Sequence, residues 1–270
     1  MTLVQPVNEH NAIKIAAFAF ELHPESVTQE ILEKIQQSYT NGLFSSYNNF
    51  IPHNEMVVKI TESERQITTD TLGGLSLLKT DAAGNKIWEV LIDKNNIVVT
   101  CHKYTRWEEV FTQTKIYLKE IMGVIGNSIS IHGLTLEYID EFNILDGTTH
   151  KWKEELFLSE AKYLPKHIFE LLKPWHSHHG FFLDGERTLN KRILLNLNIE
   201  CVVSKQGAYK LIIRSQHRSL MENSILFNVE NIDSKIDEAM VENHKINKDL
   251  LRDLLTVDAL QSINLGENNA

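Results

Sequence analysis

The run LSLLKTDAAGNKIWEVLIDKNNIVVTCHKY, from Leu75 to Tyr104, decides the fold. Its apolar segments, residues 75–81, 86–93 and 97–104, are rich in Leu, Ile and Val and too short for helices. Between them stand Asp81-Ala82-Ala83-Gly84-Asn85 and Asp93-Lys94-Asn95-Asn96. These carry the Asp, Asn and Gly residues that tight turns use. Short strands joined by short turns pair antiparallel, so the stretch predicts a meander. EMVVKITE, residues 55–62, alternates and predicts a further strand.

Upstream, the apolar run AIKIAAFAFE at 12–21 predicts a buried strand. A helix is expected over 26–39, opened by Ser26 and Gln29 as a capping box. Residues 40–54, rich in Asn, Ser, Gly and Tyr, read as a loop. Downstream, Thr105-Arg106-Trp107-Glu108 opens a second helix, with Thr105 and Glu108 capping each other. Trp107, Val110, Phe111, Thr114, Tyr117, Leu118 and Ile121 recur along it at helical spacing, and Gly123 and Gly126 end it. Residues 128–145 predict a long strand bent at Gly133.

The second half reads in the same order. Residues 153–160 predict a strand, and 161–172 a short helix with Pro165 in its first turn and Pro174 beyond it. Strands follow at 180–184, 192–203 and 208–217, then a long helix from Asp233 to Leu255. The expected class is therefore α+β, with antiparallel sheets covered by long helices. The repeated order suggests two duplicated halves, 1–145 and 146–270, packed as one unit and meeting near Asp146-Gly147-Thr148-Thr149.

The chain has 270 residues, with Lys+Arg 27 against Asp+Glu 36, a net charge of −9. That balance excludes a general nucleic-acid coating protein, which needs a positive surface. The first residues lack the basic and apolar regions of a secretory signal. The early apolar run Ile15–Phe20 falls far short of the ~20 residues that span a bilayer. Cys101 and Cys201 sit in apolar runs and read as buried free thiols. A cytoplasmic protein with no membrane association is expected.

The most conspicuous polar cluster is Trp175-His176-Ser177-His178-His179-Gly180. Neutral imidazole is a common zinc ligand, so His176 and His178, which share a strand face, are candidate metal ligands; His179 points the other way. A third ligand would have to come from elsewhere. Lys205, Lys210, Arg214 and Arg218, with Arg187, Lys191 and Arg192 before them, form a basic hairpin that could meet an acidic ligand or nucleic acid. Glu137, Asp140 and Glu141 read as a hydrated strand face. In the last helix, Asn243, His244 and Asn247 interrupt the apolar face and imply a hydrogen-bonded network. His102 and His132 read as strand residues held by hydrogen bonds. Neither a phosphate loop, a dinucleotide fingerprint nor a hydrolase elbow is present.

Three segments carry a resemblance. They are IVVTCHKYTRWEEV after Trp88, HGLTLEYIDEF from His132 to Phe142, and NHKINKDLLRDLLTVDAL from Asn243 to Leu260. Their order resembles a sporadically distributed prokaryotic family of unknown function and similar length. That family shows a Tyr-x-x-Trp helix start, a Gly-Leu-x-Tyr-Ile strand, and a C-terminal helix with Ala-His and a later Leu-Thr. Tyr104, Trp107, Gly133, Leu134, Tyr138, Ile139, His244, Leu255 and Thr256 fill those positions. Two extra residues follow Leu134, and Glu137 stands where the family usually has Arg. The resemblance carries no catalytic residue across. Its patchy occurrence implies a defence or mobile-element role. Tyr104 and Trp107 flank the helix start and can staple it to the sheet or line a binding surface.

The expectation is a non-catalytic binding or adaptor protein that binds a protein partner or self-associates as a homo-oligomer. A zinc enzyme at His176, His178 and His179 is one alternative, and nucleic-acid binding through hairpin 205–218 is another.

Overall fold

The computed structural model describes residues 2–24, 26–60, 65–126, 129–183 and 190–266, with backbone alone at 56–60, 65–70 and 190–191. Its strands are β1 (Val4–Pro6), β2 (Ile13–Leu22), β3 (Asn49–Ile60), β4 (Arg65–Thr80) and β5 (Lys86–Asp93). They continue as β6 (Asn96–Cys101), β7 (Ser130–Ile144), β8 (Trp175–Leu183), β9 (Asn190–Val203) and β10 (Tyr209–Leu226). The helices are α1 (Gln29–Thr40), α2 (Trp107–Ile125), α3 (Lys151–Leu156), α4 (Val229–Asn231), α5 (Asp237–Arg252) and α6 (Val257–Ser262).

The ten strands form one sheet in the order β3-β4-β5-β6-β2-β7-β10-β9-β8, with β1 paired to β7. The expectation of sheets covered by long helices is thereby corrected. Among the described residues strand clearly outnumbers helix, so the sheet dominates and long helices do not cover it. The sheet was underestimated because β4 and β10 run on through the polar stretches 65–71 and 218–226. Backbone ladders form there without an apolar pattern to announce them. KEELFLSE departs in the opposite direction: it was expected as a strand but supplies part of α3, with Phe157 bridging Leu255.

By contacts the chain divides into two units. The first comprises Met1–Ala16, Leu136–Leu220 and Ala239–Ala270; the second comprises Ala17–Thr135 and Met221–Glu238.

In the second unit the meander forms as read. The Asp81 carboxylate accepts from the amides of Ala83 and Asn85, both at 2.9 Å, and Gly84 takes φ 83°. Asp93 accepts from the amides of Asn95 and Asn96, both at 2.7 Å. These side-chain bonds close the turns and so fix the register of β4, β5 and β6. Trp88, Val90 and Ile92 of β5 point into the core with Ile97, Val99 and Cys101 of β6. Helix α2 lays Phe111, Tyr117, Leu118 and Ile121 into the same core. Phe18 stacks on Phe111 at 5.8 Å, and Tyr117 meets the Trp88 edge at 5.3 Å.

Both predicted capping boxes are shifted. Thr28, not Ser26, caps α1, accepting from Ile31 N at 3.4 Å. Arg106 is the N-cap residue of α2, and Thr105 donates instead to Glu109 at 2.8 Å. The predicted loop over 40–54 ends early, because β3 begins at Asn49. Helix α2 stops at Gly126, whose φ of 84° suits a residue without a Cβ.

In the first unit, β9 and β10 carry alternating apolar residues into a core with α3, α5 and α6. Trp152, Phe157, Trp175 and Tyr163 thicken it. Both cysteines are free and buried. Among the described residues no helix is long and apolar enough to cross a membrane.

Candidate partner-binding edge

Strand β8 ends the strand order. All nine of its residues pair with β9 without a register break, from Trp175 opposite Cys201 to Leu183 opposite Ile193. Its side chains alternate. Trp175, Ser177, His179, Phe181 and Leu183 face inward, while His176, His178, Gly180 and Phe182 are exposed. Phe182 is 50% exposed, with the Arg192 guanidinium of β9 5.7 Å from its ring centre. On the inner side Tyr163 stacks on Phe181 at 5.7 Å, and His179 Nε2 lies 2.9 Å from Ser177 Oγ.

The outward row of backbone groups on β8 differs from that on the opposite edge, β3. Among the described residues, β8 makes backbone–backbone hydrogen bonds only to β9. Trp175–Leu183 holds no Pro, Asp, Glu, Lys or Arg. Strand β3 carries Pro52, Glu55 and Lys59, with register shifts at His53/Asn54 and Glu55/Val57. Proline, charge and bulges are the devices that stop an edge from pairing with another chain. The β3 edge has all three, whereas β8 has none.

No protein-family model, no curated protein and no solved structure matches this chain. That is consistent with an uncharacterised family of unknown function.

The histidine cluster thus lies on this edge. His176 and His178 share its exposed face, opposite Glu200 and Asn198 of β9, and His179 lies on the other face. Among the described residues no group of three or more His, Cys, Asp or Glu side chains is placed to hold a metal.

The basic hairpin splits. Lys205 is exposed in the β9–β10 turn. Lys210 instead pairs with Glu141, which Lys14 also holds, and Glu141 is only 3% exposed. Arg214 lies 3.5 Å from Glu137, and Gln216 donates to the same carboxylate at 3.1 Å. Arg218 is half-buried. Burial pushes the Glu141 carboxyl up, and the two lysine bonds outweigh it to leave it below the ordinary carboxylate value. Arg187 and the Lys191 side chain lie outside the described residues. Tyr104 and Trp107 are half-buried in the second unit, where Trp107 stacks on Phe111 at 4.8 Å and meets Phe18 at 5.9 Å.

Opposite this charged face, β10 turns Ser215, His217 and Ser219 inward under α5. Ser215 donates to Asn247 Oδ1 at 2.5 Å, and His217 Nε2 donates to the same oxygen at 3.1 Å. Ser219 donates to Asn243 Oδ1 at 2.9 Å, and Asn243 donates to the His217 carbonyl at 3.3 Å. His244 Nδ1 lies 2.9 Å from the Tyr138 hydroxyl. Burial holds His217 down to about 4 and His244 down to about 3, so both are neutral at pH 7. The two asparagines were legible as members of a network. Their partners carry a signal of their own, since Ser215-x-His217-x-Ser219 has the period-two spacing of one strand face.

The hydrated face expected of Glu137, Asp140 and Glu141 fails at Glu141, which is buried in its ion pairs, and at Asp140. Asp140 is 1% exposed and turns inward, on the side opposite the ion-paired Glu137 and Glu141. Its Oδ2 has no hydrogen-bond partner among the described residues, and burial alone pushes its carboxyl up to about 7.

Proposed function

We propose that the chain is a non-catalytic binding protein that receives an extended segment of a protein partner along β8. The observation that carries this reading is the contrast between the two sheet edges: β3 is blocked by Pro52, charge and bulges, and β8 is open. An added strand gains main-chain hydrogen bonds for affinity and alternating side-chain contacts for selectivity. The hydroxyls of Ser215 and Ser219 and the His217 Nε2 are bound to Asn247 and Asn243, an arrangement that ties β10 to α5. The cytoplasm belongs to the proposal as well, since free buried thiols suit a reducing compartment. The ion pairs of Lys210 and Arg214 weigh against a nucleic-acid surface on the hairpin.

The test is site-directed photo-crosslinking in the native host. A photoreactive amino acid at Phe182 is expected to give a discrete heavier species, and one at Ile51 on the β3 edge is expected to give none. No adduct from position 182, or equal adducts from both edges, would overturn the reading.

A further inference from the structure

We infer that the occupant of the β8 edge is the β8 of a second copy of this chain, paired antiparallel about a twofold axis through His179. The inference rests on the reading of β8 as a docking edge and goes further by naming what docks there.

Antiparallel strands are self-complementary, because each residue of a hydrogen-bonded pair offers the N–H and C=O that the other needs. A twofold axis is the symmetry that lets one surface patch meet itself. Centred on β8, it sets His179 opposite the partner's His179, Ser177 opposite the partner's Phe181, and Trp175 opposite the partner's Leu183. On the exposed face it sets His178 opposite the partner's Gly180 and His176 opposite the partner's Phe182.

Three observations favour a copy over a foreign segment. First, Trp175–Leu183 holds no Lys, Arg, Asp or Glu. A twofold brings like side chains together around the axis, and a charged strand would place like charges near one another there. Secondly, Phe182 is the large apolar side chain that β8 leaves half exposed, beside Arg192 of β9. In the twofold register it covers the partner's His176, and symmetry makes that aromatic contact twice. Thirdly, Trp175, Phe181 and Leu183 on the inner face belong to, or pack against, the first unit's core. Pairing Trp175 with the partner's Leu183 continues that apolar layer across the axis, so both faces of the added strand find matching chemistry.

The experiment uses the purified full chain without other proteins. Sedimentation velocity in the tens of micromolar is expected to give twice the 31.1 kDa chain mass. Phe182→Lys is expected to weaken the dimer by roughly tenfold, because symmetry removes the ring contact twice. Ile51→Lys on the blocked edge is expected to leave the dimer intact. As a measurement independent of that variant's folding, His179→Cys is expected to give a disulfide-linked dimer on mild oxidation. Native Cys101 and Cys201 are buried, and the unsubstituted chain is expected to stay uncrosslinked.

A monomeric purified chain with no His179→Cys dimer overturns the inference. If position 182 nevertheless crosslinks to a different protein in the host, the docking-edge reading survives and only the identity of the occupant is lost. Higher aggregates in place of a dimer would also overturn it, since a twofold pairing closes.

Discussion

Asp140 sits in the first unit's interior with its Oδ2 unbonded among the described residues. Burial pushes its carboxyl up to about 7, against about 4 for an unfolded chain. The folded state therefore holds this proton more tightly than the unfolded state does. The group's stabilising contribution is fully present below about pH 4 and is lost as pH rises from there to about 7. Asp140→Asn removes the titration. The variant is expected to exceed the parent chain in stability at pH 8 by up to about 4 kcal/mol, three pH units of linkage at about 1.4 kcal/mol each. The gap is expected to shrink as pH falls to 5. His217 and His244 work in the opposite direction. Their depressed values mean that the unfolded chain takes protons first as pH falls below about 6.5, which costs stability down to about 4 and about 3. They titrate alike in parent and variant, so they cancel in the difference. Urea unfolding at pH 5 and pH 8 reads that difference, and an equal gap at both values would refute the assignment to Asp140.

At the scale of elements, the contact of β10 with α5 turns on Asn247. Its Oδ1 takes hydrogen bonds from both Ser215 and His217, all three buried. Asn247→Ala would leave two buried donors without their shared acceptor, at an expected cost of about 2–4 kcal/mol. The triple variant Ser215→Ala, His217→Leu, Asn247→Leu removes the donors with the acceptor and is expected to recover part of that loss in the same denaturation assay. If the triple variant is no more stable than Asn247→Ala, the penalty is not one of unsatisfied donors. The same elements explain what the sequence revealed. Strand β5 was legible to its ends, Lys86–Asp93, because an aspartate turn closes each side of it and its apolar residues alternate. Strand β10 was legible only to residue 217. Beyond that point Arg218, Ser219, Glu222, Asn223 and Ser224 erase the apolar alternation while the ladder continues. Asp140 was unreadable for a related reason. A lone carboxylate between Ile139 and Glu141 looks hydrated in a sequence, and only the pleat decides which of the two faces it takes. The open β8 edge was hidden because strand order, and therefore which strand stands last, depends on long-range pairing.

For the molecule as a whole, a charge of −9 says little about any one surface, since charges act where they are placed. The hairpin that looks basic in sequence stands next to the carboxylates of β7. Glu141 holds Lys14 and Lys210 together, and Glu137 stands beside Arg214. Attraction to a polyanion depends on cations that can trade counterions for phosphates, and a cation held by a carboxylate contributes less. The parent chain is therefore expected to pass through heparin at physiological salt. Replacing both carboxylates, Glu137→Gln with Glu141→Gln, shifts the net charge by two and frees three cations on one face. That variant is expected to be retained and to elute at higher salt. Lys14 and Lys210 are half and one-third exposed, so water can take over their solvation and the fold should tolerate the change. Circular dichroism would confirm that it does. Strong salt-dependent retention of the parent chain would show that Lys205, Lys210, Arg214 and Arg218 act as a polyanion surface despite their neighbours, returning the hairpin to contention as a nucleic-acid site.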